Sequence, residues 1–308
     1  MMQEGKRDTT LLSYFLDVEA EENLGLSMPR SSGMSEGDVV AAMGSGFLPA
    51  TVDSLVEDLH RLGVEPGQTL LVHSSLSQLG YVSGGAMAVV VALERALTEK
   101  GTLMMPTHSS GLSDPCDWQQ PAVPKEWWDH LKRSFPAYDA RRTPTRNMGQ
   151  IVDCFRSGSG VMRSAHPQQS FAAQGPKAEA LTAGHELSQS MGDRSPLARL
   201  YDLKGHVLLL GVDHDRNSSL HLAEYRATWP SKRQVPCGAP LLSRSGCAEW
   251  TRYDDLDLTA DDFTTIAADY LKAGGNHRTG LVGRGRAQLF PQRDIVDFAV
   301  AWMQHHRQ

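Results

Sequence analysis

Cysteine is scarce in this 308-residue chain, and the four present, Cys116, Cys154, Cys237 and Cys247, stand far apart with no C-x-x-C pair. That spacing excludes a zinc ribbon or a disulfide framework and points to reduced thiols in a cytoplasm. Positive charge is in deficit as well: 30 Lys and Arg against 36 Asp and Glu leave a formal net charge of −6. Such a balance argues against gripping phosphate backbones, so nucleic acid is not an expected partner. It suits a cationic small molecule, although the same charge also serves plain solubility. No apolar run approaches the length of a membrane span, so no membrane partner is expected. The short "LLSYFL" after Lys6 and Arg7 runs straight into "DVEAEE" without a small-residue cleavage site, which argues against a signal peptide. Around Ser74 and Ser75 there is no G-x-S-x-G elbow. The segment "RSGSGVMRSAHP" (156–167), whose arginines and small residues could seat phosphates, lacks both the G-x-x-x-x-G-K-[ST] loop and the third glycine of a dinucleotide fingerprint.

What is there has the rhythm of an α/β protein. Residues 1–48, acidic around Glu19 to Glu22 and then rich in Met, Ser and Gly, read as a flexible extension or an early start codon. Residues 49–308 read as one domain. In "TVDSLVEDLHRLG" Thr51 caps a helix with an apolar stripe, and Gly63 stops it. "TLLVHSSL" (69–76), the helix "AMAVVVALERAL" and "TLMMPTHSS" (102–110) make a βαβ unit, hence a parallel sheet with its loops gathered at the strand C-terminal ends. His73, Ser74, Ser75, Thr107, His108 and Ser109 then line one rim. Residues 111–170 read as a long elaborated loop with one helix around 125–135, and an insertion near 111–150 is placed to bind substrate. "HVLLLGV" (206–212) is a further buried strand. The stretch "VPCGAPLLSRSGCAEWTRYDDLD" reads as a hairpin turning at Ser245 and Gly246. The final helix, "DIVDFAVAWMQHH", is read as capped by Asp294.

The chemistry concentrates just past the third strand, in "LLLGVDHDRNSSLHLAEYRA" (208–227). His221 and Glu224 stand i, i+3 on a helix starting near Asn217 or Ser218, so they share a face. A carboxylate beside an imidazole fixes its tautomer, as a general base requires. Surface placement of both is the plainer alternative, but a strand exit is where open α/β sheets bind ligands. Asp254, Asp255 and Asp257 in "YDDLD" crowd together, which calls either for a cation or for simple solvent exposure.

Five ordered segments, "LLVHSSLSQLG", "GTLMMPTHSS", "RSAHPQQSFAAQGPKAE", "SPLARLYDLKGHVLLLGVDHDRNSSLHLAE" and "VGRGRAQL…DIVDF", resemble the aminoglycoside 3-N-acetyltransferase family over residues 50 to 304. The resemblance implies a three-layer α/β/α sandwich with a largely parallel central sheet, acetyl-CoA as co-substrate, and the 3-amino group of a 2-deoxystreptamine aminoglycoside as acceptor. It makes His221 the catalytic base, with Glu224 and Asp255 beside it. It places coenzyme A against His73, Ser74, Ser75, Leu76, Ser164, His166, Ser195 and Arg199. The drug falls among Asp114, Asp117, Asp213, Asp255 and Asp257. Because "YDDLDLTADDF" lacks the extra cysteines that some relatives carry near that segment, no metal is expected. A monomer or a dimer is equally compatible. The alternatives are an acetyltransferase for another small amine and a non-catalytic CoA-binding protein.

Overall fold

The computed structural model describes residue 37 and residues 48–119 and 121–308, so the expectation for residues 1–48 lies almost wholly outside it. Helix α1 (Val52–Leu62) begins where the sequence marks it. The Thr51 side chain accepts from the Ser54 amide while Ser54 Oγ accepts from the Thr51 amide, so two otherwise orphaned donors are satisfied. Gly63 ends the helix at φ 109°, a left-handed conformation that costs glycine little. Leu55, Leu59 and Leu62 form its buried stripe.

Strand β1 (Thr69–Ser74), helix α2 (Gly85–Leu97) and strand β2 (Thr102–Pro106) form the expected unit, with Thr69 opposite Thr102 in a parallel pair. Strand β5 (His206–Leu210) pairs parallel on the other side of β1, His73 lying opposite Leu209. These three strands therefore end at one edge. Four further strands complete the sheet: β3 (Met162–Arg163), β4 (Phe171–Gln174), β8 (Arg278–Val282) and β9 (Gly285–Pro291), in the order β3-β4-β2-β1-β5-β9-β8. All four pair antiparallel, β4 against β2 and β9 against β5. The largely parallel sheet inferred from the sequence is thus corrected to a mixed one. A parallel partner requires the chain to cross back over the sheet before pairing. The long segments after β2 and after β5 instead bring the chain back so that β4 and β9 run opposite to the strands they pair with.

Side chains alternate across this sheet into two cores. Leu71, Met104, Ala173, Leu209 and Phe290 face a cluster that includes residues of α5 (Ala178–Thr182), α6 (Pro196–Asp202), α7 (Ser219–Arg226), α8 (Phe263–Lys272) and α9 (Gln292–His306). Leu70, Val72, Leu103, Met105 and Leu208 face α1, α2 and α4 (Gly149–Arg156). Burial on both faces explains the nearly unbroken apolar runs of β1, β2 and β5. Helix α9 starts at Gln292 with Pro291 at its cap, so Asp294 lies in the first turn rather than capping. There its charge still complements the positive end of the helix dipole.

Strands β6 (Gln234–Leu242) and β7 (Ala248–Leu256) form a separate hairpin whose turn holds Ser245 and Gly246, as the sequence indicates. The insertion leans on it. Helix α3 (Trp128–Ser134) follows a short 3-10 turn, Phe135 stacks on Trp250 at 6.2 Å, and the Tyr138 amide donates to Pro240 O at 2.9 Å. Arg163 ties the insertion to the exit of β2: its guanidinium donates to Thr107 O and Thr143 O, each at 2.6 Å. No helix among the described residues is long and apolar enough to cross a membrane.

Candidate active site

Helix α7 leaves the C-terminal edge of β5 through a 3-10 turn, His214–Arg216, and its first turn is set by Asn217 Oδ1 accepting from the Ser219 amide at 3.1 Å. Six consecutive residues, Ser219 to Glu224, are buried, so the surface-helix alternative for His221 and Glu224 is ruled out. A polar pair sunk this deep must be hydrogen-bonded to be tolerated. His221 Nδ1 stands 2.5 Å from Glu224 Oε2. The second oxygen, Oε1, accepts from the Thr259 amide at 3.1 Å and from Arg307 at 2.7 Å. Arg307 in turn holds Asp262 through a two-point contact, both bonds at 2.7 Å, and lies 4.9 Å over the Trp229 ring. With Nδ1–H donating to a carboxylate, the tautomer leaves Nε2 as the ring's accepting atom, the state a general base needs. Phe263 packs edge-on against the imidazole at 4.8 Å.

Two other rim histidines share this neighbourhood. Burial holds the His73 imidazole neutral, reinforced by the positive potential of His221 and His214, and lowers its pKa to about 3. Burial, then His73 and His221, likewise depress His108, whose ring meets Phe171 edge-on at 5.3 Å. Among the described residues His221 is the histidine ion-paired with a carboxylate.

The residues expected to hold coenzyme A divide. His73 and Ser74 close β1 at the rim, and Ser74 Oγ is buried without a hydrogen-bond partner. Leu76 opens a 3-10 turn, Leu76–Leu79, at the same edge. The Ser75 amide is committed to Leu210 O at 2.9 Å. Ser164, His166 and Ser195 spend their polar atoms inside the fold. Ser164 Oγ accepts from the Phe171 amide and bonds His185 Nδ1, both at 2.9 Å. His166 Nδ1 accepts from the Gln168 and Gln169 amides, and burial lowers its pKa to about 4. Ser195 Oγ caps α6 by accepting from the Leu197 amide, with Pro196 at the first helical position. Arg199 donates to Gly184 O at 3.0 Å.

The acidic residues divide between ion pairs and a shared neighbourhood: burial first, and then the charges of Asp255, Asp117, Asp254 and Asp257, push the Cys237 thiol up to about 12. Asp255 is buried and accepts from the Tyr225 hydroxyl, the Leu256 amide at 2.9 Å and the Ser190 amide at 3.4 Å. Burial raises its pKa, and those hydrogen bonds pull it back. Asp254, its neighbour on the pleat, is exposed, and Asp257 pairs with Arg233 at 2.7 Å. Alternation along β7 sends Asp254 and Asp255 to opposite faces, so those two consecutive carboxylates do not face one another. Asp114 pairs with Lys132 at 2.6 Å, Asp213 accepts from the His214 amide at 2.7 Å, and Asp117 lies beside the Cys116 thiol at 3.4 Å. Among the described residues no group of three or more His, Cys, Asp or Glu is placed to hold a metal ion. Sequence reasoning missed Arg307, Asp262 and Tyr225. Tyr225 adjoins the motif it serves, whereas nothing near Arg307 in the chain marks a contact 83 residues away.

Residues 71–304 match the family model for aminoglycoside 3-N-acetyltransferase. The chain is 44% identical to the SPbeta prophage-derived aminoglycoside N(3')-acetyltransferase-like protein YokD of Bacillus subtilis, over 84% of this chain and 94% of that protein. The crystal structure of YokD superimposes with a TM-score of 0.82, covering 85% of this chain and 96% of that one. Two further structures match: AAC-VIa bound to sisomicin (TM-score 0.75, 32% identity, 83% and 98% covered) and AAC-IIIb in a binary complex with CoASH (TM-score 0.73, 31% identity, 83% and 97% covered).

Proposed function

The chain belongs to the aminoglycoside 3-N-acetyltransferase family, a family of acyltransferases, and from that premise we propose that it moves an acetyl group from acetyl-CoA to the 3-amino group of a 2-deoxystreptamine aminoglycoside, with His221 as general base. The observation that carries this reading is the buried His221–Glu224 pair at the C-terminal edge of three parallel strands. An amine is mostly protonated at neutral pH and cannot attack a thioester until that proton has left. The ammonium first releases one proton to solvent; as the neutral nitrogen bonds to the acetyl carbon, His221 Nε2 takes a second, and when the C–S bond breaks that proton passes to sulfur, so coenzyme A leaves as its thiol. Glu224 holds the ring's orientation and stabilises its charged form. The rim at Ser74–Leu76 is the assigned place for the thioester, and the Leu76 amide is better placed to meet the developing oxyanion than that of Ser75, which the sheet has claimed. Asp255, with Tyr225, and Asp117 on the insertion supply negative potential for a polycation. Ser164, His166 and Ser195 shape the coenzyme A side by holding its loops.

Several observations support the donor and acceptor: relatives named for this reaction, and matching structures with CoASH and with sisomicin. Helices on both faces of the sheet support a three-layer form for the proposed domain over residues 49–308, and the proposed compartment is the cytoplasm. Incubation with acetyl-CoA, tobramycin or gentamicin and a thiol reagent should release thiol only when drug is present. His221→Ala should lower kcat by about 10² to 10⁴. Wild-type turnover in that variant would refute the assignment of the base. Acetylation of other amines, and of no aminoglycoside, would move the acceptor to a different small amine, the reading that the insertion at 111–150 leaves open.

A further inference from the structure

Glu224 is wholly buried and shares its two oxygens between an imidazole and a guanidinium. The guanidinium comes from Arg307, just past the last helix, and is itself nine-tenths buried as a side chain. We propose that Arg307 is a positioning residue, which fixes the Glu224 carboxylate against His221 and limits how tightly that pair holds a proton, with Asp262 setting how much of the guanidinium's charge the pair feels. The inference rests on His221 acting as the base.

The argument is electrostatic. Burial alone would weaken the guanidinium's hold on its own proton; the Asp262 and Glu224 carboxylates more than reverse this, so Arg307 is a permanent cation at the far side of the pair. A buried carboxylate facing an imidazole alone would draw a proton onto the pair, to either atom, and a base already protonated cannot work. A cation 2.7 Å from the other oxygen opposes that uptake whichever atom would carry the proton. The other charged or titratable neighbours are Lys232, whose ammonium feels Glu224 while donating to Tyr225 O and Ala227 O, and His73 and His108, which are held neutral beside His221. The Thr259 amide holds Oε1 in place without charge. Arg307 is therefore the fixed cation bonded to the carboxylate.

Charge variants at the two ends of this chain of contacts must act with opposite sign. The His221 ring is followed by ¹⁵N NMR of the full-length protein, which reads its titration whether or not any amine is turned over. Arg307→Met should raise the His221 midpoint by about one pH unit. Asp262→Asn should lower it by less, and Arg307→Lys should keep it near the parent value while losing the two-point grip on Asp262. Where the protein acetylates an amine, the acid limb of kcat/KM should follow each midpoint, with KM for acetyl-CoA unchanged. A purely structural Arg307 would lower rate or stability without moving the midpoint. If Arg307→Met does not fold, Asp262→Asn alone decides: a lowered midpoint supports the proposal and an unmoved one overturns it. A protein that acetylates nothing yet shows both opposed shifts would refute the proposed reaction and keep this inference.

Discussion

At the scale of single residues, a histidine becomes a candidate base through its partner more than through its own exposure. His73, His108 and His166 are buried near the rim and held neutral, but His221 is the one joined to a carboxylate. The i, i+3 spacing in "LHLAE" made that pair legible in the sequence, because helix geometry fixes which neighbours can meet. The third partner was not legible, since Arg307 reaches Glu224 only after the fold has brought the end of α9 beside α7. Glu224→Gln should therefore damage two things together. The acid limb of kcat/KM should move to lower pH, because the imidazole loses the charge that favours its protonation. The unfolding free energy, measured by urea titration, should fall by about 2–3 kcal/mol, because the buried Arg307 loses a charged partner.

At the scale of elements, local rules succeeded where a residue's partner lies within a few positions. The Thr51 capping box, the Gly63 stop and the Ser245–Gly246 turn were all readable from short stretches. Motif residues drew a functional reading that the structure complicates, because several hold the chain together. Ser195 is the clearest case: its hydroxyl caps α6 and is fully buried. Ser195→Ala should lower stability by about 1 kcal/mol, the usual loss of a cap, and leave KM for acetyl-CoA where it was. A rise in KM without a change in the thermal midpoint would instead make the hydroxyl a direct ligand of the cofactor. Strands β3, β4, β8 and β9 escaped the sequence reading for a physical reason. They are short or interrupted by Arg, Gln and Gly, and their pairing energy comes from neighbours distant in the chain.

At the scale of the whole molecule, burying so many imidazoles couples folding to pH. His73 and His166 stay neutral in the fold, with pKa values lowered to about 3 and about 4, and His108 and His185 are depressed in the same direction by burial. In the unfolded chain they protonate below about pH 6.5, so unfolding takes up protons there. Their contribution is complete above that value and is lost as pH falls from about 6.5 towards about 4 and about 3. By pH 5 the His73 and His166 rings should each cost about 2 kcal/mol, against a stability that is typically only about 5–15 kcal/mol. Urea midpoints measured from pH 7.5 down to 5 should fall steadily, and a flat profile would mean that these rings are not neutral and buried. Asp255, whose folded carboxyl binds its proton more readily than an unfolded one, partly offsets the loss at the acid end.

The amino-acid sequence by itself determined the three parallel strands, the helices between and after them, the hairpin, and the placing of His221 and Glu224 on one helical face. Each of these depends on apolar periodicity or on spacings shorter than about two helical turns. Only the tertiary structure decided the mixed sheet, the ion pairs of Asp114 with Lys132 and of Asp257 with Arg233, and the Arg307–Asp262 end of the histidine's network. Those depend on which distant segments share a dry interior, where an unpaired polar group costs far more than it does in water.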